Sequence, residues 1–220
     1  LSGGNCIHLD YTSNANIFIR NITCQLGRII GTLSTLPWGV GLAGNLANSS
    51  IVVSDTRWID LNSTSTGTIG LAGGYGSHIL MEDSSLVRTH TDFFCGGASI
   101  LLNQTSDVTF RNVSFSSCTG TNGGGLWVQS DFESSTTVTD CLFDQNIADA
   151  FGGGLYVNLV SGSLLVANST FSYNVAPLFN SSGLYVDFSN VFYDTALRQI
   201  YFYDSKLDHN FAVFKGGGNI

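Results

Sequence analysis

The stretch FDQNIADAFGGGLYV, residues 143–157, decides the fold because both of its signals return along the chain of 220 residues. A glycine followed directly by a short apolar strand recurs at Gly97, Gly125, Gly154 and Gly183, in steps of 28, 29 and 29 residues. One such turn could hold a phosphate, but neither Lys-Ser/Thr nor a helix follows these glycines. A turn that recurs at a fixed period instead predicts a solenoid of stacked repeats.

The other half of each repeat begins with an aromatic residue. Phe115, Phe143 and Phe171 follow one another in steps of 28 residues and open FSSC, FDQN and FSYN, while Leu207 opens LDHN 36 residues further on. Cys24 takes the Phe position of an early, degenerate repeat. Because these apolar residues share one position in the repeat, we expect them to share one column of the core.

Short strands fill the rest of each repeat. Alternating polarity in VTFRNVSF and GLYVNLV is typical of strands, Gly, Asn, Ser, Thr and Asp fill the gaps, and no segment predicts a helix. The L-x-x-L-x-L spacing of leucine-rich repeats is missing. The sequence therefore predicts an all-β fold, a single-stranded parallel β-helix of about seven coils with about 28–29 residues in each clear coil. We expect one domain over residues 1–220, with irregular coils over 1–95 and regular GG/FxxN coils over 96–220.

The pairing of G-G-A/L-hydrophobic with F-x-x-N resembles the repeat of the chlamydial polymorphic outer-membrane proteins and related β-helix surface proteins. The residues that match are Gly96-Gly97-Ala98, Gly124-Gly125-Leu126, Gly153-Gly154-Leu155, Phe143 with Asn146, and Phe171 with Asn174. The resemblance covers roughly residues 95–220. It implies a right-handed helix and an extracellular setting, since members of that family are surface-displayed adhesins and autotransporters.

Composition argues against several classes of partner. The net charge is −8 and the cations are scattered, so we predict no binding to nucleic acid. No run of eighteen apolar residues occurs, which predicts no membrane insertion. C-x-x-C is absent and the four His are dispersed, so we predict neither a metal site nor a cofactor.

Seven N-x-S/T sequons predict N-linked glycans on a secreted, extracellular protein. They begin at Asn21, Asn48, Asn62, Asn103, Asn112, Asn168 and Asn180. Asn21, Asn112 and Asn168 each precede the Cys or Phe of the core column by three residues. Strand alternation therefore places these three asparagines in one outward column.

Five cysteines leave at least one thiol without a partner in this chain. Cys6 and Cys24 fall in one early coil and form a candidate disulfide. Cys118 takes the place of the Asn of F-x-x-N, and Cys141 lies on the predicted inward face. For each cysteine the alternative is a small buried core residue.

Two further columns are expected from the repeat. Trp127, Tyr156 and Tyr185 lie between aliphatic residues that face inward, so the aromatic rings should face outward as a ladder. That ladder can stabilise the sheet by stacking, pack against a subunit or an appended segment, or bind sugar rings. The Asn residues of F-x-x-N, which are Asn146, Asn174 and Asn210, should form a hydrogen-bonded corner ladder.

The leading hypothesis is a non-enzymatic extracellular structural glycoprotein, a subunit of a filament or surface appendage that assembles by β-helix stacking. Its partners would be copies of itself and N-linked glycans. The chain opens with LSGGN and closes with GGGNI, each the beginning of a coil, which favours part of a longer solenoid or an end-to-end assembly.

Two alternatives stay open. One is an adhesin that binds surface glycans through the aromatic column. The other is a polysaccharide-degrading enzyme, but the Arg-x-Lys and Gly-His-Gly of pectinase-like hydrolases are missing, and Glu82-Asp83 is the one adjacent acidic pair. We therefore predict no enzyme and no catalytic residues.

Overall fold

The computed structural model describes residues 6–25, 28–29, 41–63, 67–92, 94–131, 133–178, 181–188 and 197–212. Within these ranges the chain consists of β-strands joined by short turns. The first strands in chain order are β1 (Ile7–Ser13), β2 (Asn16–Arg20), β3 (Thr23–Gln25), β4 (Arg28–Ile29), β5 (Leu42–Ala47), β6 (Ser50–Ser54), β7 (Arg57–Ile59), β8 (Asn62–Ser63), β9 (Ile69–Gly74), β10 (His78–Val87) and β11 (His90–Thr91).

The more regular part of the chain continues the same succession of strands. These are β12 (Ala98–Leu102), β13 (Asp107–Ser116), β14 (Thr119–Asn122), β15 (Leu126–Ser130), β16 (Ser135–Thr139), β17 (Leu142–Asp144), β18 (Ile147–Phe151), β19 (Leu155–Leu159), β20 (Gly162–Ala167), β21 (Thr170–Ser172), β22 (Val175–Ala176), β23 (Leu184–Asp187), β24 (Arg198–Tyr203), β25 (Lys206–Asp208) and β26 (Phe211–Ala212).

The strands stack in parallel into three sheets. Sheet A has the order β1-β5-β9-β12-β15-β19-β23, and sheet C has the order β26-β22-β18-β14-β11-β8-β4. Sheet B follows β2-β6-β10-β13-β16-β20-β24 and continues past a bend through β3, β7, β17, β21 and β25; the ten-residue strands β10 and β13 cross that bend. The chain visits A, B and C in turn and returns one strand further on. This arrangement confirms the predicted all-β parallel β-helix.

Coil length is uniform in the middle and longer towards both ends. Hydrogen bonds between equivalent corner residues of successive coils join residues 34 apart at Ala15–Ser49, then 28 at Ser49–Ser77, 29 at Ser77–Ser106 and 28 at Ser106–Ser134. The separation is 36 at Ser169–Ser205. The regular spacing therefore extends further towards the amino terminus than the GG/FxxN motif indicates.

Three of the corners share one device, which several coils use. A residue with left-handed backbone turns the chain, and the next side chain points inward and accepts a hydrogen bond from the backbone N–H of the preceding coil. Ser77 Oγ accepts from Ser49 N at the corner between sheets A and B, and Ser84 Oγ accepts from Thr56 N at the bend of sheet B. These bonds satisfy backbone groups that leave the strand ladder at a corner.

The core is built from columns that run along the helix axis. The strand register puts Cys24, Trp58, Leu86, Phe115, Phe143, Phe171 and Leu207 in one column. The rings of Phe115 and Phe143 stack at 4.9 Å, and those of Phe143 and Phe171 at 4.5 Å. Parallel stacking in register thus follows directly from the 28-residue step.

Glycines form the fourth corner, between sheets C and A, because consecutive coils approach closely there. A Cβ on Gly125 would lie 2.8 Å from the carbonyl oxygen of Gly154 in the next coil, a distance that side chains do not adopt. Gly152 has φ of +60° and makes the turn itself. The paired glycines therefore serve mainly close packing, and the positive φ belongs to the glycine that precedes the pair.

Candidate functional site

Three sequon asparagines lie on one ridge of the solenoid, at the bend of sheet B. Asn21, Asn112 and Asn168 are exposed, with left-handed φ values of 55°, 52° and 48°. Asn tolerates this backbone region better than most residues. The other members of the column are Asp55, Asp83, Asp140 and Asp204, one from each remaining coil. Backbone geometry therefore selects Asn or Asp along the ridge and presents three predicted glycan carriers on one side.

The remaining sequons are distributed over other parts of the solenoid. Asn48 and Asn103 lie at the corner between sheets A and B, where Asn48 is exposed and Asn103 half-buried. Asn62 begins β8 in sheet C and is exposed. Asn180 lies outside the described residues. Among the described sequons, none lies on a strand of sheet A, and glycosylation at all seven stays a prediction.

The Asn residues of F-x-x-N form a ladder inside the corner between sheets B and C. Asn146 Nδ2 donates to Asn174 Oδ1 at 3.0 Å, and Asn174 Nδ2 donates to Asn210 Oδ1 at 2.9 Å. Each amide also donates to the backbone of the preceding coil, so that Asn146 bonds the carbonyl of Phe115 at 2.9 Å. Cys118 continues the column, and its backbone N–H donates to Asn146 Oδ1. The ladder is structural, because Asn146 and Asn174 are fully buried.

The cysteines divide into one disulfide and three thiols. Cys6 and Cys24 are joined by a disulfide, with Cα atoms 6.4 Å apart. Cys95, Cys118 and Cys141 are free and buried. Burial raises the pKa of Cys118 to about 11 and that of Cys141 to about 12, so both stay protonated at neutral pH. The three thiols therefore act as small core residues and are unsuited to nucleophilic chemistry.

The predicted aromatic ladder exists but is not an open ribbon. Trp127, Tyr156 and Tyr185 share one register position on the outer face of sheet A, and the Tyr156 and Tyr185 rings stack at 5.5 Å. Phe151 from β18 packs on Tyr185 at 4.9 Å, and Phe94 packs on Trp127 at 5.6 Å. Tyr156 is only 8 % exposed, and its hydroxyl donates to Asp187. Packing within the chain thus covers the middle of the ladder, which corrects the expectation of a flat exposed surface.

Carboxylates on the outer face of sheet B are paired from coil to coil. Glu82 on β10 forms an ion pair with Arg111 on β13, and the hydrogen bond from this guanidinium to Glu82 raises the Arg111 pKa. Asp83 accepts a hydrogen bond from Asn112 Nδ2 at 2.7 Å. Arg88 makes two hydrogen bonds to Asp60, which lower the pKa of that carboxyl. These paired carboxylates link neighbouring coils.

The described residues also bear on metal binding and on membrane crossing. In those ranges no three His, Cys, Asp or Glu side chains come together as a possible metal site. The same part of the chain has no helix of the length and hydropathy that a bilayer crossing needs.

A shallow groove at the corner between sheets A and B is absent from the sequence-based predictions. It has a volume of about 620 Å³ and is lined by Tyr75, Gln104, Thr105 and Glu133. The feature that marks the groove is turn length, which depends on the strand boundaries. The corner takes two residues at 14–15, 48–49 and 160–161, but three at 75–77 and four at 103–106 and 131–134.

The described coil nearest the carboxyl terminus exposes core positions. Ile200 and Phe202 on β24 continue the columns of Leu164 and Val166, which are fully buried. Ile200 is nonetheless 43 % exposed and Phe202 38 % exposed. Among the described residues, β24 therefore presents an apolar face at positions that are buried in the preceding coil.

Comparison with known proteins identifies the family. The chain matches the family described as the right-handed beta helix region over residues 2–216, which is almost its whole length. The protein therefore belongs to the right-handed β-helix family. Neither the curated proteins nor the solved structures include a match to the chain. The match confirms the predicted right-handed parallel β-helix, and this fold occurs in enzymes and in non-catalytic proteins alike.

Proposed function

We propose that the protein is a non-catalytic extracellular structural subunit that assembles end to end by stacking one β-helix on the next. The observation that carries this proposal is the apolar end face on β24. Ile200 and Phe202 occupy the next position of two core columns. A coil added in parallel register would therefore bury both side chains. It would also pair the backbone edge of β24, which an unstacked solenoid leaves as a template for association.

A second copy of the chain is the occupant that we propose for this face. The opposite end offers apolar side chains as well, since Ile7, Leu9, Ile17 and Ile22 are only partly buried against the core. Contact between two different end faces is heterologous and does not close, so repetition produces a filament. Charged residues make up only 11 % of the chain, which limits repulsion between stacked copies.

Matched substitutions on β24 test the stacking. Phe202→Asp places a charge in the core column of the end face, and we expect it to abolish assembly measured by sedimentation velocity and light scattering. Tyr201→Asp is the control, because Tyr201 is 51 % exposed on the outward side of the same strand. Assembly that survives Phe202→Asp, or that Tyr201→Asp abolishes equally, would contradict stacking through the core columns. A wild-type chain that stays monomeric would favour an end face covered by further coils of a longer protein.

An extracellular location is part of the proposal. Support comes from the Cys6–Cys24 disulfide, because disulfides persist mainly in oxidising compartments. The exposed sequon ridge supports it too, and so does the resemblance of the GG/FxxN repeat to chlamydial surface proteins. Secretion of a disulfide-bonded, glycosylated chain by a eukaryotic host is the expected result. Retention of an unmodified, reduced chain would contradict this part of the proposal.

The proposal leaves catalysis out because the adjacent acidic pair, Glu82-Asp83, is held in coil-to-coil contacts with Arg111 and Asn112. Incubation with pectin and alginate tests this choice, with reducing ends and unsaturated products as the readouts. We expect neither product. Turnover that Glu82→Gln or Asp83→Asn removes would establish an enzyme instead.

A further inference from the structure

The groove at the corner between sheets A and B is formed by a local departure from the repeat. At 14–15, 48–49 and 160–161 this corner takes two residues, but the turns at 75–77, 103–106 and 131–134 come from three successive coils and are longer. These coils keep the regular length of 28 or 29 residues, so the longer turns redistribute residues within each coil. The groove is thus a local feature of three successive coils, since the coils on either side form this corner with two residues, at 48–49 and 160–161.

The walls of the groove are held in place by backbone hydrogen bonds between coils. Gly76 N donates to the Gln104 carbonyl at 3.0 Å, and Glu133 N donates to Ser161 Oγ at 2.9 Å. Tyr75, Gln104, Thr105 and Glu133 all have left-handed backbone, with φ between 54° and 61°. A preformed groove loses little conformational entropy when a ligand binds.

Tyr75 supplies the main contact surface. Its side chain is 66 % exposed, and no ring among the described residues stacks on it. Tyr173 makes a useful comparison, because it also has left-handed backbone and is 52 % exposed, but it stacks on His209 at 5.0 Å. Left-handed backbone is uncommon for a bulky residue, so an exposed, unstacked Tyr at this position needs a reason.

The polar groups around Tyr75 define the kind of ligand. Gln104 offers an amide that donates and accepts, and Glu133 offers a carboxylate that accepts two or more hydrogen bonds. The lining contains no Lys or Arg, and the chain has a net charge of −8, so a phosphate or an acidic sugar is disfavoured. One carboxylate is too few for a metal ion. An aromatic face bordered by an amide and a carboxylate fits a ring that is apolar on its face and hydroxylated at its edge.

We propose that this groove binds one ring of a neutral saccharide, with Tyr75 stacked on the sugar face and with Gln104 and Glu133 bonded to its hydroxyls. The volume of about 620 Å³ leaves room for one such ring. Asn103 immediately precedes Gln104 and begins a sequon. The sugar can therefore come from two sources, the glycan on Asn103 itself or an external glycan. This proposal is independent of end-to-end stacking, because the strands that follow the groove turns, β10, β13 and β16, are separated from β24 by β20 in sheet B.

Saturation-transfer NMR tests the proposal on protein from a glycosylating host. The probes are the methyl glycosides of glucose, galactose, mannose and N-acetylglucosamine at millimolar concentration. Asn103→Gln removes any glycan at the groove, and this variant should bind at least one probe. Equal binding by the wild type assigns the groove to external glycans. Binding by Asn103→Gln but not by the wild type assigns it to the glycan on Asn103.

Matched variants in the Asn103→Gln background locate the bound sugar. Tyr75→Ala should weaken binding at least tenfold, Glu133→Gln should weaken it several-fold, and Tyr75→Phe should retain it because the ring stays. Tyr173→Ala is the control for loss of an exposed Tyr with the same backbone conformation. The proposal is overturned if Asn103→Gln binds none of the probes, or if binding is the same in Tyr75→Ala.

Discussion

At the scale of single residues, the corners show how polar side chains are made compatible with a packed core. A buried amide is costly unless its donors and acceptor are all satisfied. Asn146 meets this condition because its Oδ1 accepts from Cys118 N, while its Nδ2 donates to Phe115 O and Asn174 Oδ1. The residue is therefore fixed by its neighbours in the preceding and the following coil.

Replacement of Asn146 should be among the most damaging single changes in the chain. Asn146→Ala leaves the N–H of Cys118 and the carbonyl of Phe115 buried without this partner, while Asn174 Oδ1 keeps its bond from the backbone N–H of residue 146. At roughly 1–3 kcal/mol for each orphaned group, we expect a loss of about 3 kcal/mol or more in the free energy of unfolding, measured by urea denaturation.

Cys118→Asn is the matched control for that variant. Cys118 Sγ already lies 3.5 Å from the Leu86 carbonyl, which corresponds to the Phe115 carbonyl that Asn146 bonds. An Asn at position 118 should extend the ladder by one coil and be tolerated. A large destabilisation by Cys118→Asn, or none by Asn146→Ala, would contradict the ladder.

The buried thiols should not react with thiol reagents in the native protein. Ellman's reagent at pH 8 should detect no thiol before denaturation and three afterwards, from Cys95, Cys118 and Cys141. Rapid native labelling at pH 8 would show that the thiols are accessible.

Burial raises the pKa of Cys118 from 9.0 to about 11. The contribution of the protonated Cys118 thiol to the free energy of unfolding is therefore intact below pH 9 and is lost as the pH rises towards 11.

At the scale of elements, the four corners of a coil place different demands on the sequence. The corner between sheets C and A needs close approach, and a Cβ on Gly125 would also lie 3.1 Å from the side chains of Phe115 and Phe143. The other corners need a left-handed residue and an inward acceptor. The glycine corner is therefore the easiest corner to predict from the sequence, because only one residue type fits it.

Substitution at the glycine corner should separate coils locally. Gly125→Ala places a methyl group against the Gly154 carbonyl and the Phe stack, and we expect a loss of at least about 2 kcal/mol in the free energy of unfolding. Gly74→Ala is the control, because a Cβ there has its nearest contact, Leu46 O, at 3.7 Å. Thermal denaturation followed by circular dichroism compares the two, and equal midpoints would refute the role given to close approach.

The sequence predicted the elements that depend on repeated residue types. The glycine step established the coil length, and F-x-x-N indicated both the aromatic column and the Asn ladder. The regular repeat of the first coils was not recognised because Cys24, Trp58 and Leu86 fill the Phe column with side chains of other sizes. Protein cores accept such exchanges when neighbouring side chains make up the volume. The groove was not predicted because the length of a turn can be counted only once the strand boundaries are known.

The exposed state of the aromatic ladder could not be predicted from alternation alone. Alternation correctly places Tyr156 on the outer face, but Phe151 belongs to a different sheet, and its packing against this face depends on how β18 reaches β19. Contacts between sheets across a corner have no period in the sequence. Burial of Tyr156 is therefore a tertiary property.

At the scale of the whole molecule, the surfaces of the solenoid differ in what they offer. The ridge at the bend of sheet B carries Asn21, Asn112 and Asn168, the corner between A and B carries the groove, and the end at β24 exposes core positions. Glycans on the ridge would leave the two ends free. Lateral shielding and axial stacking are thus compatible in one rod.

The ridge asparagines should be modified in protein secreted by a eukaryotic host. Enzymatic release of N-glycans in ¹⁸O water converts each occupied Asn to labelled Asp, which peptide mass spectrometry detects. We expect the label at Asn21, Asn112 and Asn168. Asn14 is the internal control, because it is exposed with φ of 52° but begins no sequon. Unlabelled ridge positions would remove the glycoprotein part of the proposed function.

Axial stacking is the central claim, and electron microscopy of the wild-type protein tests it most directly. The seven strands stacked in sheet A, at about 4.8 Å per strand, give this stretch of solenoid a rise of about 34 Å. The account predicts filaments one solenoid wide, whose axial repeat matches that rise and whose length increases with protein concentration. Isolated short rods at every concentration would contradict it.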